Sequence, residues 1–389
     1  MYTSPLNQLG PLTVAEFLRS YWQQRAVYLP QVLPDFTSPL TAEELAGLAL
    51  EEDIESRLIT HTAAAPWQLE NGPFDEERFH SLPESDWTLL VQAVDQLVPE
   101  VHALLQQFRF LPSWRLDDVM VSYAPTGGSV GPHFDYYDVF LLQGAGTREW
   151  KIGQACDSFS DTLDGTPLKI LKNFEPQQTF ICKPGDILYI PPGVAHWGTA
   201  QDNECITYSI GFRAPSVADI LCDFSQEVAS TLTNDQRYRD SQSENFFKPG
   251  EISTATVQHL RDIINEQLTD ESLARWFGRY MSQPKYPEQQ HIEHTGDASP
   301  LSNNDLVELL AQDPVVYQAQ DARFSYHQNS QSCYLFVNGE EFTCPPTLAE
   351  TLCNQTSFQL TALDAAGDNN QRELLCHLLD QGWLELDED

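Results

Sequence analysis

The sequence predicts a mixed α and β protein built around an antiparallel barrel or sandwich, with helices before it and a helical segment and wing-like tail after it. Three observations carry this prediction. Between Trp114 and Phe212 the chain breaks into short β-rich runs separated by Gly and Pro, and on either side the apolar period is helical. A length of 389 residues also exceeds the roughly 100–200 that one core needs.

From Val14 to Gln24, Phe17, Leu18, Tyr21 and Trp22 recur at helical spacing, and Thr41 with Glu44 three positions on predicts a capped helix running to about Leu50. A further helix is expected from Trp87 to Phe108, with Leu89, Leu90, Val94, Leu97, Val101 and Leu104 on one face. The first hundred residues therefore read as mainly helical. The runs VMVSY, DVFLLQG, REWKIG, QTFICKPGDILYIPPG and CITYSIGF follow, with no amphipathic helix between them, which favours an antiparallel barrel over a doubly wound sheet.

After Ala214-Pro215 three helical patterns run to Tyr280. Three helices alone make a thin core, so their apolar faces are expected to pack against a second copy as a homodimer. Residues 284–304, rich in Pro, Gln, Gly, Asp and Ser, read as a linker that also carries His291 and His294 in a solvated loop. A helix at Leu306–Leu310, a hairpin on a type I′ Asn338-Gly339 turn, and a last helix near Leu374–Leu379 with a short strand resemble a winged helix. His377 on that last helix reads as structural. The expected division is 1–215 for the barrel with its N-terminal helices, 216–283 for the dimerisation segment, 284–304 for the linker and 305–389 for the winged-helix-like tail.

Charge narrows the function. Twenty-one Lys and Arg against 57 Asp and Glu leave −36, a surface that repels nucleic-acid phosphate and anionic lipid and attracts basic partners. The tail from 301 to 389 holds only Arg323 and Arg372 against 15 acids, so DNA reading by its wing is not expected. The start lacks a signal-peptide pattern and no long uncharged apolar stretch occurs, so a soluble cytoplasmic protein with no membrane contact is expected. Eight scattered cysteines without a C-x-x-C pair argue against a zinc ribbon or redox dithiol and for buried, reduced thiols.

The chemistry is concentrated in Gly131-Pro132-His133-Phe134-Asp135 and in Pro191-Pro192-Gly193-Val194-Ala195-His196, whose histidine lies 63 residues after His133. Residues two apart on a strand face the same way, so His133 and Asp135 can point into a barrel, where His196 from a later strand completes a triangular face. Two neutral imidazoles and one carboxylate on one face of an octahedron leave three positions open, a set suited to non-haem Fe(II). No G-x-S-x-G elbow or phosphate-binding glycine loop offers a hydrolase or kinase alternative.

These residues carry a resemblance. Residues 14–215 are similar to the cupin-fold, JmjC-type oxygenases that use Fe(II), 2-oxoglutarate and O₂. The runs DDVMVSY, GPHFDYYDVFLLQG, GDILYIPPG and YSIGFRAP look like the bacterial ribosomal oxygenases in particular. The resemblance implies a double-stranded β-helix (jelly-roll) barrel, a helical dimerisation segment and a winged-helix-like tail. It also implies hydroxylation of the β-carbon of an arginine in a basic large-subunit ribosomal protein. By position it places the metal ligands on His133, Asp135 and His196, the carboxylate clamp for 2-oxoglutarate on Arg148, and a co-substrate hydroxyl on Ser122.

For Arg148 the competing reading is a surface ion pair with Glu149 or another acid, and Arg213 and Lys151 are rival clamps. Tyr136, Tyr137 and Asp138 are candidates to grip the substrate guanidinium, or packing residues at the rim. Two functional alternatives stay open at this stage. One is the same oxygenase chemistry on another protein, as a histidyl hydroxylase or demethylase, and the other is a cupin-like scaffold without turnover.

Overall fold

A computed structural model describes residues 4–61, 67–240, 250–286, 300–364 and 368–387. The chain falls into two compact units that part at Ala214 and Pro215.

The first unit opens with a two-stranded ribbon, β1 (Gln8–Leu9) and β2 (Leu12–Thr13), and helix α1 (Val14–Ser20). Thr13 and Glu16 form a capping box, and Phe17 is fully buried. Strand β3 (Val27–Leu29) leads to α2 (Ala42–Leu48), capped by Thr41 and Glu44 as the sequence predicts. Then come β4 (Ser56–Thr60), β5 (Gln68–Asn71), α3 (Glu76–His80), β6 (Trp87–Val91) and α4 (Pro99–Gln106). The remainder is strand: β7 (Leu116–Ala124), β8 (Val139–Ala145), β9 (Arg148–Ala155), β10 (Gln178–Cys182), β11 (Ile187–Ile190), β12 (Val194–Ala200) and β13 (Cys205–Phe212).

Two antiparallel sheets make the jelly-roll. Eight strands run in the order β3-β11-β8-β13-β7-β6-β4-β5, and three in the order β10-β9-β12. They face each other, because Val139, Leu141, Leu188 and Ile190 of the large sheet share one cluster with Trp150 and Ile152 of the small one. The intervening residues Phe140, Leu142, Ile187 and Tyr189 point the other way, into a cluster with Phe17 and Phe108. The large sheet is thus covered on both faces, which explains why its strands read as continuous apolar runs instead of alternating ones.

The expected helix from Trp87 to Phe108 is corrected here. Trp87–Val91 is strand β6, paired with β4 and β7, and only Pro99–Gln106 is α-helical. Leu89, Leu90 and Val91 are buried on both faces of the sheet, so the run shows no period of two, and Pro99 starts a separate helix at its favoured first position. With β3 to β6 present, the first hundred residues are not mainly helical.

The second unit contains α5 (Val217–Thr231), α6 (Thr254–Asn265), α7 (Asp270–Ser282) and α8 (Asn303–Gln312). It continues with β14 (Val315–Gln318), β15 (Phe324–Gln328), β16 (Cys333–Val337), β17 (Glu340–Thr343), α9 (Pro346–Asn354), β18 (Ser357–Gln359), α10 (Leu360–Leu363), α11 (Asn369–Asp380) and β19 (Leu384–Leu386). The hairpin β16–β17 turns on Asn338 (φ 47°) and Gly339 (φ 88°), both in the left-handed region that a type I′ turn requires. Helix α7 lies on the hairpin sheet: Arg275 pairs with Glu341 at 2.7 Å, Tyr334 donates to Glu271 at 2.7 Å, and Gly278 leaves room for the Phe336 ring. His377 packs against Phe342 (tilted) and edge-on to Trp383, a structural placement, whereas His291 and His294 lie outside the described residues. All eight cysteines are free, but Cys222 is exposed and Cys156 half-buried, so burial holds for six.

Candidate metal centre

His133 and Asp135 sit on the segment between β7 and β8, and His196 on β12. The segment is held against β12 by a reciprocal pair of backbone bonds, His133 N to His196 O (3.0 Å) and His196 N to His133 O (2.8 Å). Ser129 reinforces this, donating to Gly198 O (2.7 Å) and accepting from Gly131 N (3.0 Å) and Trp197 Nε1 (2.9 Å). Gly131, at φ +80°, lies so close to Ile170 and Trp67 that a Cβ would meet Ile170 at 2.6 Å. Gly193, in the turn before β12, donates to Asp135 O (2.7 Å), and a bulge in β12 follows between Val194 and His196.

One ligand atom from each of His133, Asp135 and His196 lies within 4.8 Å of the others. Both imidazoles are set for ligation. His133 Nδ1 donates to Gly131 O at 2.9 Å and His196 Nδ1 to Val194 O at 3.0 Å; a carbonyl can only accept, so each Nε2 keeps its lone pair. His196 is 2% exposed, and burial first, then the neighbouring His133, push its pKa down to about 4 against the pull of Asp135. It is therefore neutral near pH 7, the state that binds metal.

Alternation places a second group of side chains inside the barrel. On β9, Arg148 shares a face with Trp150 and Ile152, both in the interior cluster, and Ile152 is the register partner of His196. Val119 and Val121 of β7, and Ile206 and Tyr208 of β13, face outward to the helices, which turns Ser122, Cys205 and Thr207 inward. Gln143 of β8 follows Val139 and Leu141 on the inward face. All five polar side chains are buried.

Arg148 is 2% exposed, and among the described residues no carboxylate pairs with it. Its Nε donates to Cys205 Sγ at 3.3 Å, while Nη2 is buried with no hydrogen-bond partner, as is Trp150 Nε1. The surface ion-pair reading fails because Glu149 pairs instead with Lys151 at 2.9 Å. That pairing also occupies one rival clamp, and Asp117 holds the other, Arg213, at 3.1 Å. Ser122 Oγ lies 3.5 Å from Thr207 O. A buried guanidinium with an orphaned N–H, in the barrel that holds the triad, fits an anionic group from outside the chain.

At the rim the tyrosines and Asp138 part company. Tyr136 and Tyr137 are 56% and 43% exposed. Asp138 is fully buried and accepts from Tyr189 (2.6 Å), Arg115 (3.1 Å) and Gln23 (3.1 Å), so it is a packing anchor and not a substrate grip. Cys156 N donates to Gly193 O (2.7 Å), and three residues on Phe159 stands 89% exposed. Sequence reasoning passed over Gln143, Cys205 and Thr207. Their signal was a lone glutamine in the apolar strand β8 and a Cys, Thr, Ser series at every second position of β13.

Comparison with known proteins supplies the family. A JmjC-domain profile matches residues 103–220, and a ROXA-like winged-helix profile matches residues 258–385. The ribosomal protein uL16 3-hydroxylase of Escherichia coli is 32% identical over 376 residues, covering 95% of this chain and 96% of that protein. The chain belongs to the JmjC-type ribosomal oxygenases. A probable ribosomal oxygenase of Haemophilus influenzae is 29% identical over 96% of each chain. Among solved structures, E. coli YcfD superposes with a TM-score of 0.85 at 31% identity, over 98% of this ribosomal oxygenase and 99% of that one. A complex of YcfD with cobalt and 2-oxoglutarate gives 0.82 at 31% identity over 97% and 99%.

Proposed function

We propose that this chain is an Fe(II)- and 2-oxoglutarate-dependent hydroxylase acting on the β-carbon of an arginine in the large-subunit protein uL16. His133, Asp135 and His196 hold the metal, Arg148 binds the distal carboxylate of 2-oxoglutarate, and Ser122 supplies a hydroxyl to the same pocket. The observation that carries the reading is the buried Arg148 guanidinium, unpaired at Nη2, inside the barrel whose rim bears a facial triad. A scaffold without turnover gives no reason to keep such a cation buried.

Bound there, Fe(II) supplies the redox chemistry that couples decarboxylation of 2-oxoglutarate by O₂ to insertion of one oxygen atom into a C–H bond. The chain's own residues position and shield. The two Nδ1–H donations fix the imidazole planes, and the Arg148 fork sets the co-substrate's orientation by its far end. Trp150 and Ile152 keep bulk water from the barrel interior. No side chain is required as an acid or base.

The substrate assignment rests on three supports: the activity named for the E. coli relative, the net charge of −36, and the exposed aromatic rings of Tyr136 and Tyr137, which follow Asp135 in the chain. A basic ribosomal protein complements that surface in charge, and aromatic faces suit guanidinium groups. Such a substrate places the enzyme in the cytoplasm; among the described residues no helix is long and apolar enough to cross a membrane. The winged-helix tail is proposed as a packing module without direct DNA contact. Exposed Val217 and Leu221 of α5, with Val257, Leu260 and Ile264 of α6, support a homodimer. Sizing full-length L221D/I264D against wild type tests it, the variant shifting to half the mass.

The deciding experiment incubates the protein with Fe(II), 2-oxoglutarate, O₂ and a uL16 peptide. Expected are one added oxygen on arginine by mass spectrometry and matching succinate, both lost in His133→Ala and Asp135→Ala. An unmodified peptide with succinate still formed on other proteins would redirect the reading to a different protein target.

A further inference from the structure

The buried cation has an unusual neighbour. Cys205 Sγ accepts from Arg148 Nε at 3.3 Å and from Gln143 Nε2 at 3.4 Å. Gln143 is itself fixed, because its amide nitrogen also donates to Ala145 O (2.6 Å) and Ile206 O (3.2 Å), and its Oε1 accepts from Thr207 Oγ1 (3.2 Å). Cys205 begins β13, which is paired on both sides, so the sulfur is held by the sheet backbone. A thiol at this point links a rigid amide to the guanidinium stem and leaves Nη2 without a partner among the described residues.

We propose that Cys205 is a positioning residue for the co-substrate clamp: its sulfur fixes the Arg148 fork at Nε without neutralising it. The inference rests on the proposed binding of 2-oxoglutarate by Arg148. The residue type follows from electrostatics. A buried carboxylate in this place would form a bidentate ion pair with Arg148 and compete with the incoming dicarboxylate. An apolar residue would leave Nε unsatisfied and the long side chain free to take other rotamers. Sulfur is a weak acceptor, strong enough to orient and too weak to cancel the charge.

The test compares wild type, Cys205→Ala and Cys205→Ser, each loaded with Co(II) in place of Fe(II). Each is titrated calorimetrically with 2-oxoglutarate and with 2-oxobutyrate, which carries the chelating end but no distal carboxylate. For Cys205→Ala we expect 2-oxoglutarate affinity to fall about tenfold, as for loss of a hydrogen bond to a charged group, while 2-oxobutyrate affinity stays within about twofold. Serine should restore most of the loss. In turnover, KM for 2-oxoglutarate should rise with kcat little changed. Equal weakening of both ligands would show a general packing defect and overturn the proposal, as would unchanged 2-oxoglutarate binding. A wild-type protein that binds Co(II) but not 2-oxoglutarate would overturn the co-substrate assignment itself, a result distinct from either.

Discussion

His133 and His196, 63 positions apart in the chain, exchange a pair of backbone hydrogen bonds while their imidazole centroids stand 4.2 Å apart. The bridge makes the spacing of the two proposed ligand positions a property of the sheet: their backbones are held by the same ladder that pairs β12 with β9. Holding two proposed ligands on paired backbone lowers the entropy that would be lost on binding a metal.

Ser129 is the side chain that braces this bridge, through its bonds to Gly131, Trp197 and Gly198. Ser129→Ala takes the acceptor from the buried Gly131 N–H and the part-buried Trp197 Nε1–H, a cost of about 1–3 kcal/mol. The expected outcome is a lower unfolding midpoint in urea and a metal affinity reduced about tenfold or more, measured by Co(II) titration. Unchanged metal affinity in a destabilised protein would show that the triad does not depend on this brace.

Arg148 predicts a separation of stability from binding. A buried guanidinium without a counterion costs desolvation, so replacing it with an apolar side chain of similar length removes that cost. Arg148→Met should therefore melt at or above the temperature of the wild-type apoprotein. Added 2-oxoglutarate should stabilise the metal-loaded wild type and leave the metal-loaded variant unmoved. Differential scanning calorimetry with and without 2-oxoglutarate reads both effects. A strongly destabilised apo variant would mean that the cation has a structural partner.

Acid should weaken the fold through His102 on α4. Burial first, and the nearby Arg109 next, push its pKa down to about 4. The folded state therefore disfavours the protonated ring. Its contribution is complete above the unfolded value of 6.5, declines as the pH falls, and is gone below about 4, a loss of up to about 3 kcal/mol. Urea midpoints of the metal-free protein between pH 7 and 4 should fall less steeply for His102→Gln. Parallel slopes would remove His102 as the source.

How far the sequence could be read depended on where the information lies. The grouping of His133, Asp135 and His196 was legible because His133 and Asp135 are two residues apart and the Pro191-Pro192-Gly193 turn announces the strand of His196. The strands β7 to β13 were legible because Gly or Pro flanks each run. Trp87–Val91 was misread because Leu89, Leu90 and Val91 are covered on both faces, and burial on both sides erases the alternation that separates strand from helix. Cys205 and Gln143 were not legible, since their meaning lies in a cross-strand register that brings residues 62 apart to 3.4 Å.

The rim predicts how substrate binding divides from chemistry. Phe159 is 89% exposed on a turn whose backbone is fixed by Asp157, Phe159 N donating to Asp157 Oδ1 (2.9 Å) and Ser160 N to Asp157 O (3.1 Å). Cys156, three residues before the ring, donates to Gly193 O, and Gly193 N donates to Asp135 O, a backbone link from the start of this turn to the proposed ligand segment. An exposed ring contributes nothing to folding and adds apolar and cation–π contact to an arginine-rich partner. Phe159→Ala should keep the wild-type melting temperature and 2-oxoglutarate KM while raising KM for a basic uL16 peptide about fivefold or more. The same reaction should lose kcat/KM as salt rises past 0.15 M, where the screening length falls below about 8 Å, because a surface of net charge −36 attracts that peptide at long range. A salt-independent kcat/KM would show that encounter is not steered by charge, and an unchanged peptide KM in Phe159→Ala would place the docking surface elsewhere on the barrel.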